Sequence, residues 1–285
     1  SIAATAANGG RITAADEWGY EYECPKFDYD ATSYEHRIYQ GFGKGDPNAE
    51  LVCGPNIKDW PEMPALNEHM LLKVCAYITD PVTTTDELIP SGETGSFRSN
   101  PMGLAEFTLS RRVPEYIGKA KAVMNHEKNR KNGTCPEEVA DAIAKIRTIS
   151  GFAEIKEEKI DLSSIIYAVK PGDGSAREQA ASCQRVLLGG ANIAKEYATK
   201  RYRSNLINWG MVPFVTVSAP DFADDDYIFV PNIREALEGS MVNIPAYVLG
   251  ETIKPLTLAI APLTKEEKDI IRAGSLINYN RMLKK

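Results

Sequence analysis

Several features that mark common classes of protein are scarce or absent in this sequence of 285 residues. No apolar run approaches the ~20 residues that a membrane-spanning helix requires, and no secretory signal peptide is recognisable. The formal net charge is −6, so the chain lacks the positive excess that binds nucleic-acid backbones. We therefore expect a globular protein with no membrane partner, and the charge argues against nucleic acid as the main partner.

Clustered metal ligands are also missing from the sequence. The cysteine count is odd and includes no Cys-x-x-Cys pair, since the five residues are Cys24, Cys53, Cys75, Cys135 and Cys183. Scattered single cysteines indicate free thiols and a reducing, cytoplasmic location. They also argue against a self-contained iron–sulfur or zinc site, which needs grouped ligands. The three histidines are far apart in the sequence and none is favoured as a catalytic group.

What the sequence does contain is a glycine-rich turn between an apolar run and a helical pattern. Residues 165–169 read as a buried strand, residues 179–188 as a helix, and residues 172–178 connect them. Free N–H groups at a helix start attract anions, and Arg177 adds a guanidinium that can bind a carboxylate or phosphate through two hydrogen bonds. The turn therefore predicts an anion site, in which Ser175 is either a ligand or an activated base.

Residues 1–68 differ in character from the rest of the chain. Residues 2–7 read as a helix that closes at residues 8–10, and residues 17–64 are rich in Tyr, Asp, Pro and Gly with little periodicity. We expect this region to be the end of a preceding domain followed by an interdomain connector. Seven aromatic side chains are expected to anchor the connector by packing on a neighbouring domain: Tyr20, Tyr22, Phe27, Tyr29, Tyr34, Tyr39 and Phe42.

Strand and helix patterns alternate through residues 69–285. Residues 71–78, 211–217, 227–230, 245–249 and 256–261 read as strands, and residues 136–146, 200–209 and 265–273 as helices. Residues 128–133 are expected to form a basic surface loop, and Lys200, Arg201 and Arg203 a solvated helix face. The alternation predicts a layered α/β domain.

Three blocks in this domain resemble motifs of the aconitase family, and they occur in the family's order over roughly residues 71–281. Thr84-Thr85-Asp86-Glu87, with Arg98 twelve residues after the Asp, is similar to the family's Thr-Thr-Asp-His…Phe-Arg segment. The glycine-rich turn resembles Gly-Glu-Gly-Ser-Ser-Arg-Glu-His-Ala-Ala, and here reads Gly172-Asp173-Gly174-Ser175-Ala176-Arg177-Glu178-Gln179-Ala180-Ala181. The third block is similar to the family's Arg-Thr-Asn-Leu…Gly-Leu-Leu-Pro segment. In this chain it reads Arg203-Ser204-Asn205-Leu206-Ile207-Asn208-Trp209-Gly210-Met211-Val212-Pro213.

The resemblance implies a three-layer β/β/α swivelling domain, as in the C-terminal domain of aconitases and the small subunit of isopropylmalate dehydratases. It also implies a hydro-lyase that dehydrates and rehydrates a hydroxy di- or tricarboxylic acid. Ser175 would be the catalytic base, and Asp86 would organise the site by hydrogen bonding or would help to protonate the hydroxyl group. Arg98, Arg177 and the backbone of Ala176 would bind substrate. The [4Fe-4S] cluster would lie on N-terminal domains of the same polypeptide, outside this chain, so this chain alone is expected to hold no cofactor and to be inactive.

Simpler interpretations exist for each of these residues. Ser175 after a glycine is an ordinary helix N-cap, and Asp86 is an ordinary cap as well. Arg177 is otherwise a surface charge or a bridge to the core, and Arg98 in a loop is otherwise solvated.

Two departures from the family pattern leave the substrate open. Ala176 stands where many aconitases have a second serine, and Glu87 replaces a histidine. Two alternatives to an aconitase-like swivel domain also remain. One is a free-standing small subunit of the isopropylmalate dehydratase type. The other is a non-catalytic RNA-binding regulator of the iron-regulatory type, which the acidic balance disfavours.

Overall fold

The structure is a computed structural model that describes residues 2–19, 21, 23–37, 43–50, 52–217 and 219–284. The chain divides into two compact units, Ser1–Val52 and Cys53–Lys285. In the first unit, helix α1 spans Ile2–Ala7, a 3-10 turn spans Ala15–Trp18, and helix α2 spans Thr32–Arg37. Gly9 and Gly10 follow α1 with φ of 63° and 86°, which confirms the predicted helix stop because glycine adopts positive φ without a Cβ penalty.

The predicted aromatic anchors of the connector are only partly described. Phe27, Tyr29 and Tyr34 are exposed. The rings of Tyr29 and Tyr34 stack on each other with centroids 6.1 Å apart. The other four aromatic residues of that prediction lie outside the described residues: Tyr20, Tyr22, Tyr39 and Phe42. The role of residues 1–68 as the end of a domain and a connector stays a prediction.

The second unit is built on two sheets. The strands are β1 His69–Ile78, β2 Thr83–Thr84, β3 Ile160–Ala168, β4 Pro171–Asp173, β5 Gly189–Ala194, β6 Val212–Thr216, β7 Tyr227–Val230, β8 Ile244–Leu249 and β9 Ile253–Ile260. Seven of them close into a barrel in the order β1-β3-β5-β6-β9-β8-β7, whereas β2 and β4 form a separate small sheet. Within the barrel, β1, β3, β5 and β6 run parallel to one another. The pairs β6–β9, β9–β8, β8–β7 and β7–β1 are antiparallel.

Nine helices are described in the second unit. They are α3 Thr85–Leu88, α4 Pro101–Ala105, α5 Tyr116–Lys131, α6 Glu137–Thr148, α7 Arg177–Val186, α8 Lys200–Asn208, α9 Ile233–Glu238, α10 Lys265–Ala273 and α11 Leu276–Leu283. The predicted helices over residues 136–146, 179–188, 200–209 and 265–273 are confirmed with small shifts at their ends. The predicted basic loop over residues 128–133 is wrong for residues 128–131, because α5 continues to Lys131 before it ends.

Two hydrophobic clusters give the domain its layers. Side chains alternate across a strand, so Leu71 of β1 packs in the cluster under the helices while Leu72 and Val74 face the barrel interior. The interior cluster joins the parallel and antiparallel halves of the barrel, and the helices cover the outside of the parallel half. The predicted three-layer β/β/α fold is therefore confirmed. No helix within the described ranges is both long enough and apolar enough to cross a membrane.

A buried arginine ties the segment before β1 to the end of the domain. Arg185, near the end of α7, donates to the carbonyl oxygens of Pro64 at 2.7 Å, Gly274 at 3.1 Å and Gly189 at 3.1 Å. Burial lowers the pKa of Arg185 to about 10, so the guanidinium is still charged at neutral pH. Three separate parts of the chain therefore meet on one guanidinium.

Candidate functional site

The glycine-rich turn joins β4 to α7 and is shaped by its two glycines. Gly172 and Gly174 have φ of 94° and 134°, a region that L side chains rarely adopt. A Cβ on Gly172 would lie 2.2 Å from the ring of Tyr202, so the chain passes directly over that ring. The Tyr202 hydroxyl accepts hydrogen bonds from Gln184 Nε2 and Asn192 Nδ2, both at 2.9 Å. The turn therefore packs on the ring of Tyr202, whose hydroxyl group is held by two hydrogen bonds.

Ser175 is exposed on this turn and is not the N-cap of α7. The N-cap is Ala176, whose methyl group cannot accept a hydrogen bond from the first turn of the helix. The interpretation of Ser175 as a plain helix cap is therefore wrong. Because the cap side chain is missing, the N–H groups of the first turn have no side-chain acceptor from the cap, and this is the arrangement in which a helix start binds anions.

The short parallel pair β2–β4 brings the Thr84-Thr85-Asp86 segment to the same turn. Thr83 pairs with Pro171 and Thr84 with Asp173, and Thr83 N donates to Lys170 O at 3.0 Å. Helix α3 starts directly after β2, so Asp86, in the first turn of α3, lies close to residue 174. Two of the three sequence blocks, nearly ninety residues apart in the chain, thus meet at one place.

A capping box holds the start of α3. Thr84 Oγ1 accepts from Glu87 N at 3.2 Å, and Glu87 Oε2 accepts from Thr84 N at 2.7 Å. Glu87, which departs from the histidine of the family motif, therefore has a local structural role in this chain. The cap of α3 is Thr84, so the interpretation of Asp86 as the cap is wrong.

Asp86 is exposed and forms an ion pair that the sequence did not predict. Arg111 Nη1 lies 3.1 Å from Asp86 Oδ2, and Arg111 Nη2 also binds Glu93. The hydrogen bond with Glu93 is the main cause that raises the pKa of Arg111. Leu109 N donates to Leu88 O at 2.9 Å, which holds the loop of Arg111 against α3. No periodicity or motif in the sequence pointed to this loop.

Arg177 is the first residue of α7 and is half-buried. Its Nε is buried and has no hydrogen-bond partner among the residues that the structure describes. A guanidinium with an unused donor next to an exposed serine is suited to bind a carboxylate.

Arg98 is exposed and follows the 3-10 helix Gly95–Phe97. Asn100, two residues later, caps α4 by accepting from Gly103 N at 3.0 Å, and α4 packs against α7. Arg98 is thus attached to an element that lies beside the helix of the glycine-rich turn. The functional roles of Ser175, Asp86, Arg98, Arg177 and Ala176 stay predictions.

Arg203 departs from the prediction of a solvated face at the start of α8. Its Nη2 donates to Ala261 O at 2.7 Å and to Pro262 O at 2.9 Å, so it fastens α8 to the segment before α10. Lys200 and Arg201 are exposed, as expected.

Residues suited to hold a metal or a cluster are not grouped within the described ranges. No set of three or more His, Cys, Asp or Glu side chains there has the geometry of a metal site. Burial raises the pKa of Cys75 and of Cys183 to about 12, so both thiols stay protonated at neutral pH. These side chains do not fit an iron–sulfur cluster, which is held by cysteine thiolates.

Comparison with known proteins gives similarity in three dimensions and none in sequence. The chain matches no protein-family model, and no curated protein is significantly similar to it. Among solved structures, it is similar to 3-isopropylmalate dehydratase (LeuD) of Methanocaldococcus jannaschii. The identity is 21% and the TM-score 0.46, over 75% of this chain and 96% of that one.

Proposed function

We propose that this chain is the C-terminal swivel domain of an aconitase-like hydro-lyase. One observation carries the proposal. The β2–β4 pair places the strand before Asp86 beside the strand that leads into the turn of Ser175 and Arg177, so the two motifs are neighbours in space. A chance resemblance in two distant stretches has no reason to place them side by side.

In this proposal the domain supplies a base and carboxylate ligands. A serine hydroxyl is a weak base on its own, and it acts only where its alkoxide is stabilised by cations and N–H groups. Arg177 and the first turn of α7 supply both kinds of group next to Ser175. Ser175 would take a proton from the carbon next to a substrate carboxylate, and Arg177 and Arg98 would hold carboxylates. Asp86 would assist proton transfer to the departing hydroxyl group.

A [4Fe-4S] cluster on N-terminal domains of the same polypeptide belongs to the same proposal, since the described residues of this chain do not fit one. When bound there, the cluster supplies a Lewis acid for the substrate hydroxyl group. A cytoplasmic location and a di- or tricarboxylic acid substrate also follow from the proposal. An isopropylmalate dehydratase-type small subunit remains the second candidate, because the same turn could serve it with a different partner chain.

Ligand binding by this chain tests the carboxylate site directly. We expect citrate, used as a tricarboxylate probe, to shift the amide resonances of residues 174–178 in NMR spectra. Arg177→Lys should weaken this binding by about tenfold, because lysine lacks the two-pronged geometry of arginine. Arg147→Lys is a matched control, since Arg147 lies on α6 and pairs with Glu157. Equal citrate binding by wild type and Arg177→Lys would contradict the site.

Turnover tests the role of Ser175. In the polypeptide that carries the cluster domains, Ser175→Ala should lower kcat by several orders of magnitude with little change in KM, because the lost group acts on the proton in the transition state. Unchanged turnover would refute Ser175 as the base. The same assay over a set of hydroxy acids identifies the substrate.

A further inference from the structure

A second concave site is lined by residues other than those of the glycine-rich turn. It is a groove of about 750 Å³, which is within the size range of small-molecule pockets. Its walls come from residues 60–64, the second half of α5, Leu188 and α11. All of these residues belong to the unit Cys53–Lys285. We call this site the Trp60 groove.

The apolar part of the groove has an aromatic surface that is available to a ligand. Trp60 is 43% exposed, although one side of its ring packs on Trp209 with centroids 4.6 Å apart. Met63 and Ile277 add aliphatic surface beside it. An exposed indole that is held on one side by a second indole is a rigid stacking surface, and flat aromatic ligands bind such surfaces.

The polar part of the groove carries two acidic side chains, Glu62 and Glu127, and three cationic ones. Lys128 and Lys131 lie one turn apart on α5, and Arg281 comes from α11 on the opposite wall. Lys131 Nζ is 3.3 Å from Glu127. Lys128 and Arg281 make no ion pair with any residue that the structure describes. The last turn of a helix favours lysine in any case, so the charge alone does not define a site. The site is defined by the combination of these cations with the exposed indole of Trp60.

Helix α11 is fixed in a position that keeps the groove open. Asn278 Nδ2 donates to Met63 O at 2.8 Å and to Ala273 O at 2.9 Å. The wall formed by residues 60–64 is therefore hydrogen-bonded to the wall formed by α11.

We propose that the Trp60 groove binds a nucleotide. The base would stack on Trp60, and the di- or triphosphate group would lie between Lys128, Lys131 and Arg281. Several cations around one groove favour a ligand with more than one negative charge over a monocarboxylate. This proposal is independent of the hydro-lyase function, because it uses none of the residues assigned to the glycine-rich turn.

Calorimetric titration of the chain with three probes tests the proposal. ADP carries both the ring and the phosphates, adenosine only the ring, and pyrophosphate only the charge. We expect ADP to bind at least about tenfold more tightly than either part, since stacking and charge contribute together. No heat of binding at ~1 mM ADP, or equal affinity for pyrophosphate, would overturn the proposal.

Variants locate the binding. Trp60→Leu and the double variant Lys128→Ala/Lys131→Ala should each weaken ADP binding by about tenfold. Trp60→Phe keeps a ring for stacking and should bind nearly as well as wild type, which separates loss of stacking from loss of folding. Lys265→Ala/Lys268→Ala removes two lysines with the same spacing on α10 and should bind ADP like wild type. If Trp60→Leu and Lys128→Ala/Lys131→Ala both bind ADP as tightly as wild type, the groove is not the site.

Discussion

Gly174 and Thr85 approach each other so closely that a Cβ on Gly174 would lie 2.1 Å from Thr85 Oγ1. This contact joins the turn of Ser175 to the first residue of α3. It leaves no room for any side chain at residue 174, and it sets the spacing between the two motifs that form the candidate site.

Gly174→Ala should therefore damage both stability and the site. We expect a loss of about 2 kcal/mol in the free energy of unfolding, because the new methyl group overlaps Thr85 and the φ of 134° is strained for alanine. Urea denaturation measures the loss. Adding Thr85→Ala should recover only part of it, since the strain in φ remains. Gly92→Ala is the control, because nothing lies within 4 Å of its added Cβ.

The pair Asp86–Arg111 should matter for catalysis and little for stability. The Asp86 and Arg111 side chains are 62% and 49% exposed, and exposed ion pairs contribute at most about 1 kcal/mol. In the cluster-bearing polypeptide, Asp86→Asn should lower kcat by about 100-fold or more if Asp86 assists proton transfer. Glu93→Gln removes the other partner of Arg111 and should leave kcat nearly unchanged. Loss of activity in both variants would instead indicate that Arg111 itself is required.

We expect the folded protein to lose stability in mild acid because of His69. Burial lowers the pKa of His69, and its Nδ1 accepts from Asn232 N at 3.0 Å, which requires an unprotonated Nδ1. In the unfolded chain the pKa is about 6.5, so below that pH the unfolded state binds the additional proton. The contribution of His69 to stability is thus present above pH ~6.5 and is lost as the pH falls toward the lower pKa of the folded state.

The measurement is the urea midpoint as a function of pH. His69→Asn offers an amide oxygen near the position of Nδ1, and it should remove this part of the pH dependence while it keeps the bond to Asn232. A wild-type midpoint that stays constant from pH 7 to pH 5 would contradict the prediction, as would a profile of the variant identical to that of wild type.

Arg185 should be among the most sensitive positions in the core. Arg185→Met leaves two buried carbonyl groups and one partly buried carbonyl group without their donor, and each unsatisfied group is costly, so we expect a loss of about 3 kcal/mol or more. Arg185→Lys keeps the charge but cannot reach three separate carbonyl oxygens, so it should recover only part of that loss. Arg147→Met, on the exposed pair with Glu157, should cost less than about 1 kcal/mol.

Elements with a clear local signal were predictable from the sequence, and elements that depend on packing were not. The pattern of residues 265–273 predicts α10, and the structure has this helix with a capping box between Thr264 and Glu267. Helices α9 and α11 were missed. The first is short, begins after Asn232 in a left-handed conformation and has no capping bond, and the second has no buried side chain. The end of α5 was misread as a loop because its lysines carry no apolar periodicity.

The candidate site shows the same division. Ser175 and Arg177 could be identified because a glycine-rich turn before a helix has a local meaning. Arg111 could not, because its position depends on Leu109, a residue with a φ of 55° whose N–H is bound to α3. Neither the positive φ of Leu109 nor its hydrogen bond to α3 is marked by a pattern in the sequence. The β2–β4 pair was equally hidden, since strands of two and three residues are too short for periodicity to reveal.

The two ends of α7 connect different parts of the molecule. Its first residue, Arg177, belongs to the turn of Ser175, and Arg185 near its last residue grips the carbonyl of Pro64. A helix of ten residues is ~15 Å long and stiff against bending. Because the helix is stiff, a displacement of Pro64 that Arg185 follows is expected to move Arg177 as well. The turn of Ser175 and the segment that leads into β1 are therefore attached to the two ends of one helix.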